Sequence, residues 1–483
     1  MPIKNKIILI TYPDSLGKDL KELNHILNKY FKDYIYGVHI LPFYPSSADR
    51  GFAPISYEKV DEKFGTWEDV EKIKNDFDLT FDFMINHISS KSSYFKNFIE
   101  KKDDSIYSSM FIDYDKFWPK NRPTNNDLKI IYKRKPRAPY VEFTFLNGKT
   151  GKIWCTFDQE QIDLDMKSSI TKNFIKKTLI SLAEKGVSVI RLDAFAYTVK
   201  KPGTSCFFIE PDIWKILKFV KKTLDPFKVK ILPEVHEHYS YQLKLAKHGY
   251  WVYDFSLPML VLHTLYTGTN QNLLKWFKIC PQKQFTTLDT HDGIGVVDVY
   301  DLLSKSEIEE TKNNLFSKGV NIKKEFNTIK FNNLDIYQIN STFYSALGNN
   351  DDAYILARAI QFFTPGIPQV YYVGLLAGEN DIKLVNKTKF GRDINRHSYS
   401  IKEIEKSIQR DVVKRLLTLM KFRNKYPAFD GKINLKSTSK NDLLICWKKS
   451  KYKTILNADL KTKKFEIRYY DSDKKEYLRL DGV

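Results

Sequence analysis

Eight short apolar runs, separated by longer stretches of mixed polarity, restrict the fold of this chain more than any other feature. They are Ile7–Tyr12, Tyr36–Leu41, Leu79–Ile85, Val187–Leu192, Val229–Leu232, Val252–Phe255, Phe285–Leu288 and Pro368–Tyr372. Each is too short for a helix and too continuous for a strand wetted on one face, so each reads as a buried parallel strand. Helical spacing of apolar residues lies between many of them, in Leu20–Phe31, Trp67–Phe77, Ile170–Leu182 and Ile213–Leu224. Thr66 and Asp212 stand where N-caps belong. Strands alternating with helices build βα units, and eight of them predict a closed (β/α)8 TIM barrel.

The chain has 483 residues, which leaves room beyond a barrel of roughly 250. The surplus has definite places. Segment 87–166 is too long for one βα connection and contains the alternating run Tyr140-Val-Glu-Phe-Thr-Phe, so it reads as an inserted domain. Segment 293–355 reads as a second insertion. Both leave the barrel on the face where βα loops emerge. The tail 432–483 alternates apolar and polar residues and predicts a small antiparallel β domain. The barrel parts are then 1–86, 167–292 and 356–431.

Formal net charge is +20, from 78 Lys+Arg against 58 Asp+Glu. The lysines are dispersed rather than gathered in one basic run, so a solvated surface is expected and a nucleic-acid partner is not. A basic surface also suits a small anion. Cys155, Cys206, Cys280 and Cys446 are far apart, with no CxxC pair, so neither a metal cluster nor a disulfide framework is expected. His236-Glu-His238 lacks the spacing of a helical metal motif, and no metal is assigned. No apolar stretch approaches the length of a membrane span, and the N-terminal run is too short for a signal sequence. A cytoplasmic protein, monomer or homodimer, is the expectation.

The ends of the strand runs carry the chemistry. Asp193, Glu234 and Asp292 each close or follow an apolar run, and Asp82 lies within a fourth. Carboxylates gathered at the C-terminal ends of barrel strands suit acid/base and nucleophilic work on a glycoside. Arg191, two residues before Asp193 and on the same strand face, is expected to keep that carboxylate ionised. Glu234, as an acid, should sit in a drier place or nearer negative charge. Asp82 reads first as support for the end of its strand. The 33 Phe and 29 Tyr exceed what a core of this size needs, which leaves rings for a sugar-stacking cleft, although core packing also accounts for them.

The segments 82–87 (Asp-Phe-Met-Ile-Asn-His), 189–193 (Val-Ile-Arg-Leu-Asp), 231–234 (Ile-Leu-Pro-Glu) and 288–292 (Leu-Asp-Thr-His-Asp) resemble, in this order, the four signature regions of the α-amylase family of retaining glycosidases and transglycosidases. Within that family the chain is similar to the sucrose phosphorylases, through 36–43, 48–52, 231–236, 290–295, 334–342 and 391–397. The resemblance covers nearly the whole chain and weakens in the tail. It implies phosphorolysis of sucrose to α-D-glucose 1-phosphate and D-fructose, with inorganic phosphate as co-substrate and no resident cofactor. It also implies Asp193 as nucleophile, Glu234 as acid/base and Asp292 as transition-state stabiliser.

The resemblance further implies Asp49, His87, His291 and Arg396 as glucosyl-hydroxyl partners and Phe52 as a stacking wall. Phe157 and Tyr197 become acceptor-side walls. Asp335, Ile336, Tyr337 and Gln338 match the acceptor loop, and Gly203–Phe207 a mobile partner to it. Arg134, Lys135 and Arg137 are the phosphate candidates, although a lysine at 135 lacks the arginine fork. Asp335, Tyr337 and Gln338 favour plain sucrose over a phosphorylated acceptor, which would require more fixed positive charge. Sucrose 6′-phosphate, another α-glucoside, or hydrolysis and transglucosylation of sucrose by the same carboxylates are the alternatives. A non-catalytic sugar-binding barrel disagrees with the presence of all three carboxylates.

Overall fold

The computed structural model describes residues 3–135, 137–317 and 338–483. The strands predicted from the apolar runs are all present: β1 (Ile8–Thr11), β2 (Gly37–Ile40), β3 (Asp78–Met84), β4 (Val189–Asp193), β5 (Lys230–Pro233), β6 (Val252–Asp254), β7 (Gln284–Thr286) and β8 (Ile367–Tyr371). Helices alternate with them, the order of a (β/α)8 chain. Most of these strands are buried from end to end, which is why they carry continuous apolar runs rather than alternation.

The predicted helices form with small changes. Trp67–Asp76 begins at Thr66, whose N–H and hydroxyl both donate to Asp69, at 3.0 and 3.1 Å. Asp212 is not a cap. Pro211 holds that position, and Asp212 is the first residue of the helix Asp212–Leu224, where its charge still suits the dipole. The pattern over Leu20–Phe31 divides into an α-helix, Leu20–Ile26, and a π-turn, Leu27–Phe31.

The chain divides into two compact units. The first comprises residues 19–21 and 40–235. In it β3, β4 and β5 run parallel, with Met84 opposite Asp193 and Leu192 opposite Pro233. Its long segment after β3 holds two antiparallel ribbons, His87–Ser89 with Gln161–Asp163 and Tyr140–Thr144 with Thr150–Trp154. These ribbons share aromatic cores. Phe95, Phe98, Phe111 and Phe145 pack in one, and Tyr114, Trp118 and Trp154 in another. Much of the aromatic surplus is therefore core, because thin ribbons must bury large side chains to hold together.

The second unit comprises, among the described residues, 3–18, 22–39, 236–317 and 338–483. There β6, β7, β8 and β1 form a parallel ladder, with Tyr253 opposite Phe285, Phe285 opposite Ile367 and Ile8 opposite Gln369. The tail is a five-stranded antiparallel sheet from Lys432 to Arg479. Among the described residues no helix is long and apolar enough to cross a membrane.

Candidate active site

The end of β4 organises the first unit's polar centre. Side chains two apart on a strand share a face, so Arg191 and Asp193 point together. Arg191 Nη1 lies 2.9 Å from Asp193 Oδ1 and 2.6 Å from Asp82 Oδ1, and its Nη2 lies 3.9 Å from Glu234 Oε1. One guanidinium thus reaches three carboxylates from three adjacent strands. Arg191 and Asp82 are almost wholly buried, whereas Asp193 and Glu234 keep 15% and 13% of their side chains exposed. Asp82 is the buried anchor, inside β3 rather than at its end, and the other two keep some exposure.

Glu234 Oε2 accepts a hydrogen bond from the Ala194 N–H at 3.0 Å. Ala194 has φ 52°, the left-handed region that a residue with a Cβ adopts only under local constraint. That turn aims its N–H at Glu234. The drier setting expected for Glu234 is not found, because its exposure matches that of Asp193 and Arg191 stands beside it. In this arrangement the two carboxylates differ in partners rather than in dryness.

Around this centre, the Phe52 ring lies 5.9 Å from the Arg191 guanidinium, and the Phe52 carbonyl lies 2.9 Å from His87 Nε2 and 3.0 Å from Gln161 Nε2. His87 is buried, and burial lowers its pKa and favours the neutral imidazole. Asp49 is exposed on a turn in which both Asp49 and Arg50 have positive φ, 48° and 47°. Two successive strained residues at a surface turn are a pattern that accompanies functional sites. A run of rings continues from His87 to Phe157 (5.6 Å), Tyr197 (5.0 Å) and Phe207 (5.0 Å), and Phe207 stacks on Tyr132 at 4.4 Å.

The basic segment separates into distinct parts. Arg137 donates to the carbonyls of Ala138, Tyr140 and Phe157 at 3.0, 2.8 and 2.9 Å. Both terminal nitrogens of its fork meet backbone. Arg134 and Lys135 are half-buried. The Gly203–Phe207 stretch is tied to the insertion, since Gly203 N–H donates to Asp127 at 3.1 Å and Tyr132 N–H donates to the Ser205 carbonyl at 2.9 Å. Two residues missed in the sequence belong here. Gln161 meets His87 Nε2 at 3.2 Å, and Lys200 is a buried cation. Neither lies in a signature segment, and nothing in local spacing marks them.

The second unit carries the other candidates. Asp292 Oδ2 lies 3.5 Å from His291 Nε2, and its Oδ1 lies 3.3 Å from Arg392, a partner the sequence reading missed. The carbonyl of His291 accepts from Arg396 Nε and Nη2 at 3.2 and 2.9 Å. Arg396 also sits 5.8 Å over the Tyr12 ring, and that ring packs edge-on to His291. Asn395 donates to the carbonyls of Thr290 and Asp292. The helical turn Gly391–Asn395 therefore fastens the loop that bears Asp292. Gln338 pairs in an antiparallel bridge with Gly295. Asp335, Ile336 and Tyr337 lie outside the described residues.

The model of the alpha-amylase catalytic domain matches residues 12–418. A sucrose phosphorylase of Streptococcus mutans is 52% identical over 98% of this chain and 99% of its own. A glucosylglycerol phosphorylase of Marinobacter adhaerens is 42% identical over the full length of both. The crystal structure of a sucrose 6F-phosphate phosphorylase from Thermoanaerobacter thermosaccharolyticum superposes with TM-score 0.94, at 46% identity and 99% coverage of both chains. These likenesses show a (β/α)8 fold with an added C-terminal β sheet.

Proposed function

The chain belongs to the alpha-amylase family and is a glycosyltransferase-type phosphorylase, and from that premise we propose that it catalyses reversible phosphorolysis of sucrose to α-D-glucose 1-phosphate and D-fructose. The observation that carries this reading is the single Arg191 guanidinium standing 2.9 Å from Asp193 and 3.9 Å from Glu234. Two carboxyl groups flanking one bond serve a retaining double displacement.

In this mechanism Asp193, kept anionic by Arg191, attacks the anomeric carbon. Glu234 protonates the departing fructosyl oxygen, and the glucosyl–Asp193 ester forms. Phosphate then attacks the same carbon, Asp193 leaves as carboxylate, and Glu234 takes the phosphate proton. Asp292 binds sugar hydroxyls more tightly as positive charge grows on the ring. Asp49, His87, His291 and Arg396 orient the glucosyl group over Phe52, while Phe157 and Tyr197 wall the acceptor side. Gln338 faces the acceptor. Arg134 and Lys135 meet the phosphate, and no resident cofactor takes part.

A second reading is phosphorolysis of sucrose 6′-phosphate. The 46% identity to a relative of that name favours it, as do the two half-buried cations Arg134 and Lys135 in the inserted segment. Incubation with each donor, with and without phosphate, tests both. Glucose 1-phosphate made from sucrose only when phosphate is present supports the first reading. Product from sucrose 6′-phosphate alone supports the second, and free glucose independent of phosphate contradicts both.

A further inference from the structure

Lys200 is a buried cation that the proposed chemistry does not use. Its side chain is 3% exposed, so its charge is held away from water. An ammonium has three N–H bonds, and three acceptors surround this one. They are Asp163 Oδ2 at 2.6 Å, Asn86 Oδ1 at 2.7 Å and the carbonyl of Tyr197. Each acceptor belongs to a different piece of the first unit. Asn86 lies two residues past the end of β3 and precedes His87. Asp163 lies on the inserted strand paired with His87. Tyr197 lies on the turn that follows β4.

The network reaches one residue further. Thr156 N–H donates to Asp163 Oδ1 at 2.9 Å, and its hydroxyl donates to Asp163 Oδ2 at 2.6 Å. Thr156 precedes Phe157. The Lys200–Asp163 pair therefore fixes the backbone beside three rings, His87, Phe157 and Tyr197, which contact one another in sequence at 5.6 and 5.0 Å. A buried ion pair gives little net stability compared with an apolar pair of the same shape. What it does supply is a fixed geometry, because each partner is costly to leave unmet.

We propose that Lys200 is a positioning residue that sets the aromatic wall on the acceptor side, and so decides whether phosphate or water receives the glucosyl group. The inference rests on the glucosyl-enzyme reading above. A wall held in one place excludes water from the face of the ester while phosphate is bound, whereas a wall free to shift admits it.

The test uses α-D-glucosyl fluoride, a donor that needs no acid assistance and carries no fructosyl group. Fluoride leaves as the Asp193–C1 bond forms. Phosphate or water then forms the new C1–O bond, Asp193 leaves as carboxylate, and Glu234 takes the acceptor's proton. Fluoride release reports the first step, and the ratio of glucose 1-phosphate to glucose reports the second. In Lys200→Met the ratio should fall by at least ~tenfold while fluoride release changes less than ~threefold, because only positioning on the acceptor side is lost. Asp163→Asn should shift the ratio in the same direction, and it decides the matter if Lys200→Met does not fold. An unchanged ratio, or equal falls in both steps, overturns the role of Lys200. Absence of glucose 1-phosphate with the wild-type protein overturns instead the phosphorylase reading beneath it.

Discussion

Arg191 stands 2.6 Å from Asp82, its register partner on the adjacent strand, and both are almost wholly buried. Asp82 thereby fixes the arginine that in turn faces Asp193. Asp82→Ala should remove a fully buried negative partner of the guanidinium, at a cost of about 3–5 kcal/mol, as for other broken buried pairs. Asp82→Asn, which keeps a hydrogen-bond acceptor, should lose less. Chemical denaturation of the two variants checks this ordering. Equal stability of Asp82→Ala and the wild type would contradict the anchoring role.

Glu234 is assigned as the acid, so its loss should depend on the leaving group. Glu234→Gln should lower the rate of sucrose cleavage by ~100-fold or more, the usual scale of general acid catalysis. Fluoride release from α-D-glucosyl fluoride should be far less affected. Pre-steady-state rates with both donors measure this, and equal losses with both would assign the proton to another group.

Arg134 and Arg137 separate phosphate binding from backbone support. Removing Arg134 should raise the phosphate KM by ~tenfold, one charge-assisted contact, with little change in the sucrose KM. Arg137→Ala removes the guanidinium donor from the carbonyls of Ala138, Tyr140 and Phe157 and should lower Tm. Steady-state kinetics and thermal melts distinguish the two. Unchanged phosphate KM in Arg134→Ala would move the anion site elsewhere.

Asp254 gives a pH dependence of known sign. It is fully buried beneath Trp276 and Leu257, whose N–H groups donate at 2.9 and 3.0 Å, and burial pushes its pKa up to about 7. The folded state therefore holds a proton that the unfolded state has released from about pH 4 upward. This group's contribution is fully present below about pH 4 and is lost as pH rises through about 7. Asp298, also raised by burial, acts in the same direction, and His87, lowered by burial, acts in the opposite one. Subtracting the curve of Asp254→Asn from that of the wild type isolates the first group. The difference should fall with rising pH across this window, and parallel curves would show that Asp254 does not titrate there.

The barrel strands and the tail sheet were legible because burial on both faces leaves continuous apolar runs, and burial on one face leaves alternation. The end of β4 was legible for the same reason, since strand period alone put Arg191 and Asp193 on one face. Asp212 was misread because an acidic residue serves equally well as a cap or as the first helical residue. Lys200 and Gln161 could not be read at all. Their partners Asp163 and His87 are 37 and 74 positions away, and only the pairing of the two inserted strands brings them together. Arg137 resembled its neighbours in sequence, and its carbonyl partners are set by the inserted ribbon rather than by local spacing.

The central claim is a covalent glucosyl ester on Asp193, and trapping it is the most direct test. Glu234→Gln incubated with α-D-glucosyl fluoride without phosphate should accumulate protein heavier by one glucosyl residue. Peptide mass spectrometry should place that residue on Asp193, and Asp193→Asn should carry none and lose turnover by at least ~1,000-fold. A glucosyl group found on another carboxylate, or no adduct while turnover continues, would contradict the account.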